Sequence, residues 1–365
     1  MQYLVVDYRV RHNVTICKPE TQMPNPKHSM RAAVFAQAGV LEIQDRRVPQ
    51  ITHADEVLIE VEGCGLCGTD LHILATPPGH PATTGTILGH EFVGRIAELG
   101  SDVTAFEVGL RVVVDPNLKC GVCRFCRRGL ANHCENWTTL GIFQDGGFAQ
   151  YAVAPQRALH PISETVPFED AVWTEILSCV LASTDRMAIG PGRTAVVIGA
   201  GPVGVLHGML FQAAGARVII ADRAPLRLDL ARGAGIERTV HVDQESLMDA
   251  VQESTDGTGA DVVVDAVGNQ FQTCLNVVGK QGFVSLFGMN AAASPSVTQA
   301  DITRNEVTVF GSFVGQHAFP RAIQLLESGA VLPSALVTHR LTVDELLQGI
   351  EAARRGEAMK VVITP

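Results

Sequence analysis

The sequence predicts an α/β chain in two parts, a β-rich part that carries reactive side chains on loops and a doubly wound parallel-sheet part. Short stretches that alternate apolar and polar residues, such as DEVLIEVE (residues 55–62) and FVGRIAELG, fill the first part, as half-buried strands require. Continuous apolar runs such as TAVVI, ARVII and ADVVV fill the second, as parallel strands covered on both faces require. At 365 residues the chain is long enough for two cores.

Composition excludes several classes. Hydrophobic residues make up 46% and glycines number 35, an ordinary globular balance with many tight turns. A formal net charge of −10 argues against nucleic acid, which is bound through clustered Lys and Arg. No apolar run approaches the length of a spanning helix, and the N-terminus shows no basic region followed by an apolar core. Nine cysteines without export features point to metal ligands and free thiols, not disulfides. A soluble, cytoplasmic protein without membrane partner is expected.

Residues 1–29 read as an N-terminal extension without catalytic role, because TQMPNPKH is polar and proline-broken. MRAAVFAQAGVLEIQDRRVP then alternates like two strands joined at a glycine turn. Residues 55–62 form a strand that delivers the chain into GCGLCGTDLHI, where Cys67, Thr69, Asp70 and His72 crowd together; LGHEFVG follows with His90 and Glu91. A thiolate, an imidazole and a carboxylate are the donors zinc prefers, and three such ligands leave one position open for chemistry. DLHIL reads as the start of a short helix with the Thr69 hydroxyl at its N-terminal end.

Cys120, Cys123, Cys126 and Cys134 are spaced C-x2-C-x2-C-x7-C. Four thiolates can close tetrahedrally around zinc with no open position, which makes a structural site. An iron–sulfur cluster fits less well, since no proline follows the last cysteine and the final gap is long. Arg124, Arg127 and Arg128 beside these thiolates would offset their charge. Residues 145–155 close the β part, and the texture turns helical in EDAVWTEILSCVLASTDRMA. Glu175 lies there among Trp173, Ile176 and Leu177, and a carboxylate in such company needs a partner; it could complete the Cys67 and His90 set.

Thr194 to Ile198 reads as a buried strand. Gly199, Gly201 and Gly204, with Pro202 and Val203 between them, follow in the G-x-G-x-x-G pattern of a dinucleotide turn. The next strand ends at Asp222, placed to accept hydrogen bonds from an adenosine ribose and to repel a 2′-phosphate. Arg223 leaves room for some NADP use, and Arg227 joins the candidate cofactor residues. The alternative is a glycine-rich turn without cofactor. Runs at 260–268, 282–289 and 307–313 continue the sheet, and the C-terminal helix and strand are expected to rejoin the β part, so that the nucleotide domain is an insertion.

From about Met30 to Pro365 the chain resembles the zinc-dependent medium-chain dehydrogenases, the superfamily of alcohol, polyol and threonine dehydrogenases. The resemblance rests on Gly65-Leu66-Cys67-Gly68-Thr69-Asp70-Leu71-His72, Gly89-His90-Glu91, the four-cysteine lobe, the GAGPVG turn and the closing MKVVITP. It implies a GroES-like β catalytic domain (30–177 and 317–365, with the zinc lobe at about 115–137) and a Rossmann NAD-binding domain (178–316). It also implies catalytic zinc on Cys67 and His90, with Glu175 or Glu91 as third ligand, and two zinc ions per chain. In this reading Thr69 takes the hydroxyl proton, His72 relays it toward solvent, and Asp70 holds the His90 ring. NAD is preferred over NADP, and a homodimer or homotetramer is implied. The small-molecule substrate is a secondary alcohol of the polyol, cyclitol or sugar-alcohol type, because Glu175 resembles the polyol branch. L-threonine or a simple alcohol is the competitor within the superfamily, and a catalytically inactive zinc- and nucleotide-binding homologue is the competitor outside it.

Overall fold

The computed structural model describes residues 28–315 and 317–365; the expectation about the N-terminal extension falls almost entirely outside them. Two sheets organise the chain. In the seven-stranded sheet the spatial order is Val337–Thr342, Lys360–Thr364, Glu56–Gly65, Glu91–Leu99, Arg111–Val114 and Leu159–Pro161, with Tyr151–Pro155 also paired to Glu56–Gly65. The strand Glu56–Gly65 is thus its hub. The C-terminal strand pairs antiparallel with it through Val362↔Gly65 and Ile363↔Cys64. The two strands read from residues 30–49 form a separate hairpin, Ser29–Gln37 with Val40–Arg47.

The six-stranded sheet is parallel throughout. Its order is Arg238–His241, Arg217–Asp222, Thr194–Ile198, Ala260–Asp265, Val278–Leu286 and Thr308–Gly311. The strand that leads into the glycine turn is central, and the chain winds outward first on one side and then on the other. That reversal opens a crevice at the carboxyl ends of the central strands, where such sheets bind nucleotides. The two-residue alternation of a strand explains how one apolar run serves two cores. Ala195, Val197, Val218 and Ile220 face one cluster, while Val196, Ile198, Ile219 and Ala221 face the other.

The two sheets share packing. The first cluster takes in Val93, Val113 and Val362 of the β sheet together with Trp173, Leu177 and Val180. The helix Thr174–Thr184 therefore lies between the sheets, and it continues unbroken past residue 177. At its far end Ser183 Oγ and Ser285 Oγ, both fully buried, lie 2.9 Å apart in a hydrogen bond to the parallel sheet. No helix among the described residues is long and apolar enough to cross a membrane.

His207 is buried in the helix Pro202–Ala213. Its Nδ1 lies 2.9 Å from the Val203 carbonyl, so that nitrogen donates, and Nε2 has no partner. Burial drives its pKa down from 6.5 to about 4. Because the unfolded chain takes up this proton first, the stabilisation is complete above about pH 6.5 and is lost as pH falls toward about 4. Chemical denaturation should show that His207→Leu removes a pH-dependent loss of about 2 kcal/mol between pH 7 and pH 5; an identical pH dependence in the variant would exclude this origin.

Candidate metal and nucleotide site

The strand Glu56–Gly65 ends beneath the loop that carries Cys67. The Leu66 amide donates to the Val361 carbonyl at 2.9 Å, which pins the loop to the last strand of the chain. Cys67 then caps the short helix Gly68–Ile73. Its amide donates to Asp70 Oδ2 at 2.9 Å, and the Asp70 amide donates back to the Cys67 carbonyl at 3.1 Å. The cap is therefore Cys67 and not Thr69, because a carboxylate three residues on reaches back to the Cys67 amide. Thr69 lies inside the first turn, its Oγ1 3.7 Å from Cys67 Sγ. His72 follows three residues later, exposed, on the same helix face.

Glu91 opens the neighbouring strand Glu91–Leu99 and His90 directly precedes it, both buried. One donor atom each of Cys67, His90 and Glu91 falls within 4.8 Å of the others. Glu91 forms a buried ion pair with Lys360 through Oε2, and its Oε1 has no partner. Asp70 Oδ1 stands 3.8 Å from His90 Nδ1. That is ionic range but not a hydrogen bond, and both atoms are otherwise without partners. Glu175, in the first turn of the helix Thr174–Thr184 and 8% exposed, is the outer member. It lies outside the convergent trio yet within electrostatic reach of His90 and Glu91, and it accepts a hydrogen bond from Cys179 at 3.5 Å.

The electrostatics are those of a site built around a cation. Burial lifts Cys67 above the ordinary thiol value, with Glu91 adding to it. Burial also lifts Asp70 to about 6 and Glu175 to about 7, in both cases against the pull of His90. Buried acidic groups that crowd together in this way favour a divalent ion among them. The unpartnered Glu91 Oε1 is a lone pair such an ion would satisfy, and with Nδ1 turned to Asp70 the His90 ring keeps Nε2 for the ion. These residues fit zinc.

The second constellation is the lobe. The sulfurs of Cys120, Cys123, Cys126 and Cys134 all lie within 4.8 Å of one another. Backbone amides point at them: Cys123 N–H at Cys120 and Asn136 N–H at Cys134, each at 3.3 Å. Amides of Val122 and Cys123 draw the Cys120 thiol down to about 6, which prepares it for a metal. Arg124 pairs with Glu135 at 2.7 Å and lies over the Phe125 ring.

In the parallel sheet the three glycines do different work. Gly199 has φ +104, which a side chain rarely tolerates. A Cβ at Gly204 would collide with the Gly199 carbonyl. Around Gly201 nothing lies within 4 Å of a Cβ position, so backbone there is open to a pyrophosphate. Gly201 caps the helix and Pro202 opens it. Asp222 receives the Ala200 amide on Oδ2 at 2.7 Å and the Ala224 amide on Oδ1 at 2.8 Å, tying the glycine turn to the following helix. Arg227 approaches Asp222 at 3.9 Å, while Arg223 is exposed and turned to Asp243 at 3.4 Å. Sequence reasoning missed Lys360 and Cys179; the signal for Lys360 was a lone charge opening an otherwise apolar closing strand.

Residues 53–164 match the alcohol dehydrogenase GroES-like domain family and residues 202–328 the zinc-binding dehydrogenase family. The chain is 32% identical over 345 residues to sorbitol dehydrogenase of Bacillus subtilis (strain 168), covering 92% of this chain and 98% of that protein. It is 33% identical over 337 residues to L-threonine 3-dehydrogenase of Serratia proteamaculans (strain 568), covering 87% and 94% respectively. A Sinorhizobium meliloti 1021 structure described as a zinc-binding dehydrogenase bound to NADP superposes with a TM-score of 0.88 at 30% identity, over 93% of this chain and all of that one. The site geometry and these matches agree: the chain belongs to the zinc-dependent medium-chain dehydrogenase superfamily, as an alcohol dehydrogenase with a zinc site and a pyridine-nucleotide site.

Proposed function

We propose that the protein oxidises a secondary alcohol of the polyol, cyclitol or sugar-alcohol type with NAD⁺, using zinc held by Cys67, His90 and a carboxylate. The observation that carries this reading is the convergence of Cys67, His90 and Glu91, with the buried Glu91 Oε1 left without a partner. Bound zinc supplies Lewis acidity toward the substrate oxygen and the nucleotide supplies a hydride acceptor. Thr69, beside Cys67, takes the hydroxyl proton, and His72 on the same helix face passes it to solvent. Asp70 restrains His90 from the far side and holds the Cys67 amide. Glu91 stands in the convergent trio and Glu175 is the nearest alternative carboxylate; the likeness to sorbitol dehydrogenase supports the polyol substrate.

The four-cysteine lobe holds a second, structural zinc in this reading. Asp222 favours NAD, since its two oxygens keep acceptor capacity for a ribose and its charge repels a 2′-phosphate; Arg223 and Arg227 admit NADP as a weaker alternative. We further propose domains at 30–177 with 317–365 and at 178–316, a cytoplasmic location, and a homodimer or homotetramer. The strand Thr308–Gly311 at the edge of the parallel sheet supports association between copies.

Metal analysis should find about two zinc ions per chain. Cys67→Ser should lose one together with turnover while the fold persists, and Cys123→Ser should lose the other and lower the melting temperature. A double variant that still carries both ions would sink the assignment. Asp222→Ala should narrow the ratio of kcat/KM for NAD over NADP, and a wild type that already prefers NADP would overturn the cofactor reading. In a panel containing a vicinal diol, a cyclitol, ethanol and L-threonine, the polyols should give the highest kcat/KM, and Glu175→Ala should weaken zinc retention or turnover severely. Ethanol or L-threonine as the best substrate leaves only the broader dehydrogenase assignment standing.

A further inference from the structure

Lys360 is 1% exposed, an unusual position for a lysine. It opens the last strand, Lys360–Thr364, and its ammonium has three neighbours drawn from three distant parts of the chain. One is Glu91 Oε2, in the buried ion pair. Another is the Leu66 carbonyl at 3.3 Å, one residue before Cys67. The third is the face of Trp173, 5.1 Å from the ring centre, two residues before Glu175. Trp173 is fully buried. Gly65 lies against the same pair: a Cβ there would stand 2.8 Å from both Lys360 Cε and Nζ, so the strand leaves room for this lysine and nothing more.

Leu66 is therefore held at both ends by adjacent residues of one strand, its amide by the Val361 carbonyl and its carbonyl by Lys360. With one Glu91 oxygen taken by the ammonium, the carboxylate cannot turn both oxygens into the site, and its unpartnered Oε1 is the one left for the trio. We infer that Lys360 is a positioning residue of the metal site, which sets the Cys67 loop through Leu66 and sets the rotamer of Glu91 at the same time. Buried behind Glu91 and Leu66, it acts on how the donors are presented. Partners of metal-ligating groups that fix orientation in this manner are worth about 10–100-fold in metal affinity.

The inference rests on the metal reading above, and the experiment separates the two. Zinc content and competitive zinc affinity are measured on wild type, Cys67→Ser, Lys360→Met, Glu91→Gln and the Lys360→Met/Glu91→Gln double variant, with the visible spectrum of the cobalt(II)-loaded proteins as a second readout. A zinc count unchanged in Cys67→Ser means that the metal reading itself is wrong. With that reading intact, Lys360→Met, which keeps the stem on Trp173 but removes the charge, should weaken the Cys67-dependent ion about 10–100-fold. It should also change the cobalt spectrum and leave the lobe zinc in place. Affinity within about twofold of wild type and an unchanged spectrum would overturn the inference. Because Lys360→Met strands a buried carboxylate, the double variant removes both charges as a control for folding: its loss should exceed that of Glu91→Gln alone by the share that runs through Leu66 and fall short of the sum of the two single losses. Losses that add fully across the two positions would show general support instead of positioning, and overturn the inference as well.

Discussion

A buried lysine facing a buried carboxylate is the constraint on which the site depends. Two such groups lose their hydration together, and neither can stay ionised in the interior without the other. Lys360 and Glu91 come from strands on either side of Glu56–Gly65, so their pairing requires the whole central part of the β sheet to be in register. The Cys67 loop leaves that same central strand. The reactive residues thus sit at one end of a sheet whose alignment is enforced by an interaction that fails if any of the three strands slips.

The parallel sheet meets this assembly through the helix Thr174–Thr184. Its first turn carries Glu175 toward His90, its middle packs Leu177 and Val180 into the shared core, and its last turn reaches Ser285. A continuous helix transmits position along its axis because each turn is bonded to the next. The crevice at the glycine turn and the trio around Cys67 are therefore parts of one packed body, which is what hydride transfer between a nucleotide and an alcohol requires. Gly315 adds to this joint, since a side chain there would run into Ser178 on the same helix.

Much of this was legible in the residues. Strand alternation, the glycine spacing and the C-x2-C-x2-C-x7-C lobe are local patterns, each enforced by backbone geometry or by the reach of a few neighbouring side chains, so they can be read without knowing the fold. The helix cap shows the limit of such reading. Thr69 is a good capping residue by type, yet Cys67 takes the position because Asp70 reaches back to its amide.

What the sequence by itself determined was the two-part α/β architecture, the family and the short-range donor clusters, because these depend on periodicity and on spacings of a few residues. What only the tertiary structure decided was that Glu91 converges with Cys67 and His90 while Glu175 stands outside that trio, where Lys360 goes, and that both Asp222 oxygens are engaged by backbone amides. Those outcomes turn on contacts between residues far apart in the chain, Glu91 and Lys360 above all. Such contacts are set by strand order and register, and no local pattern of residues encodes them.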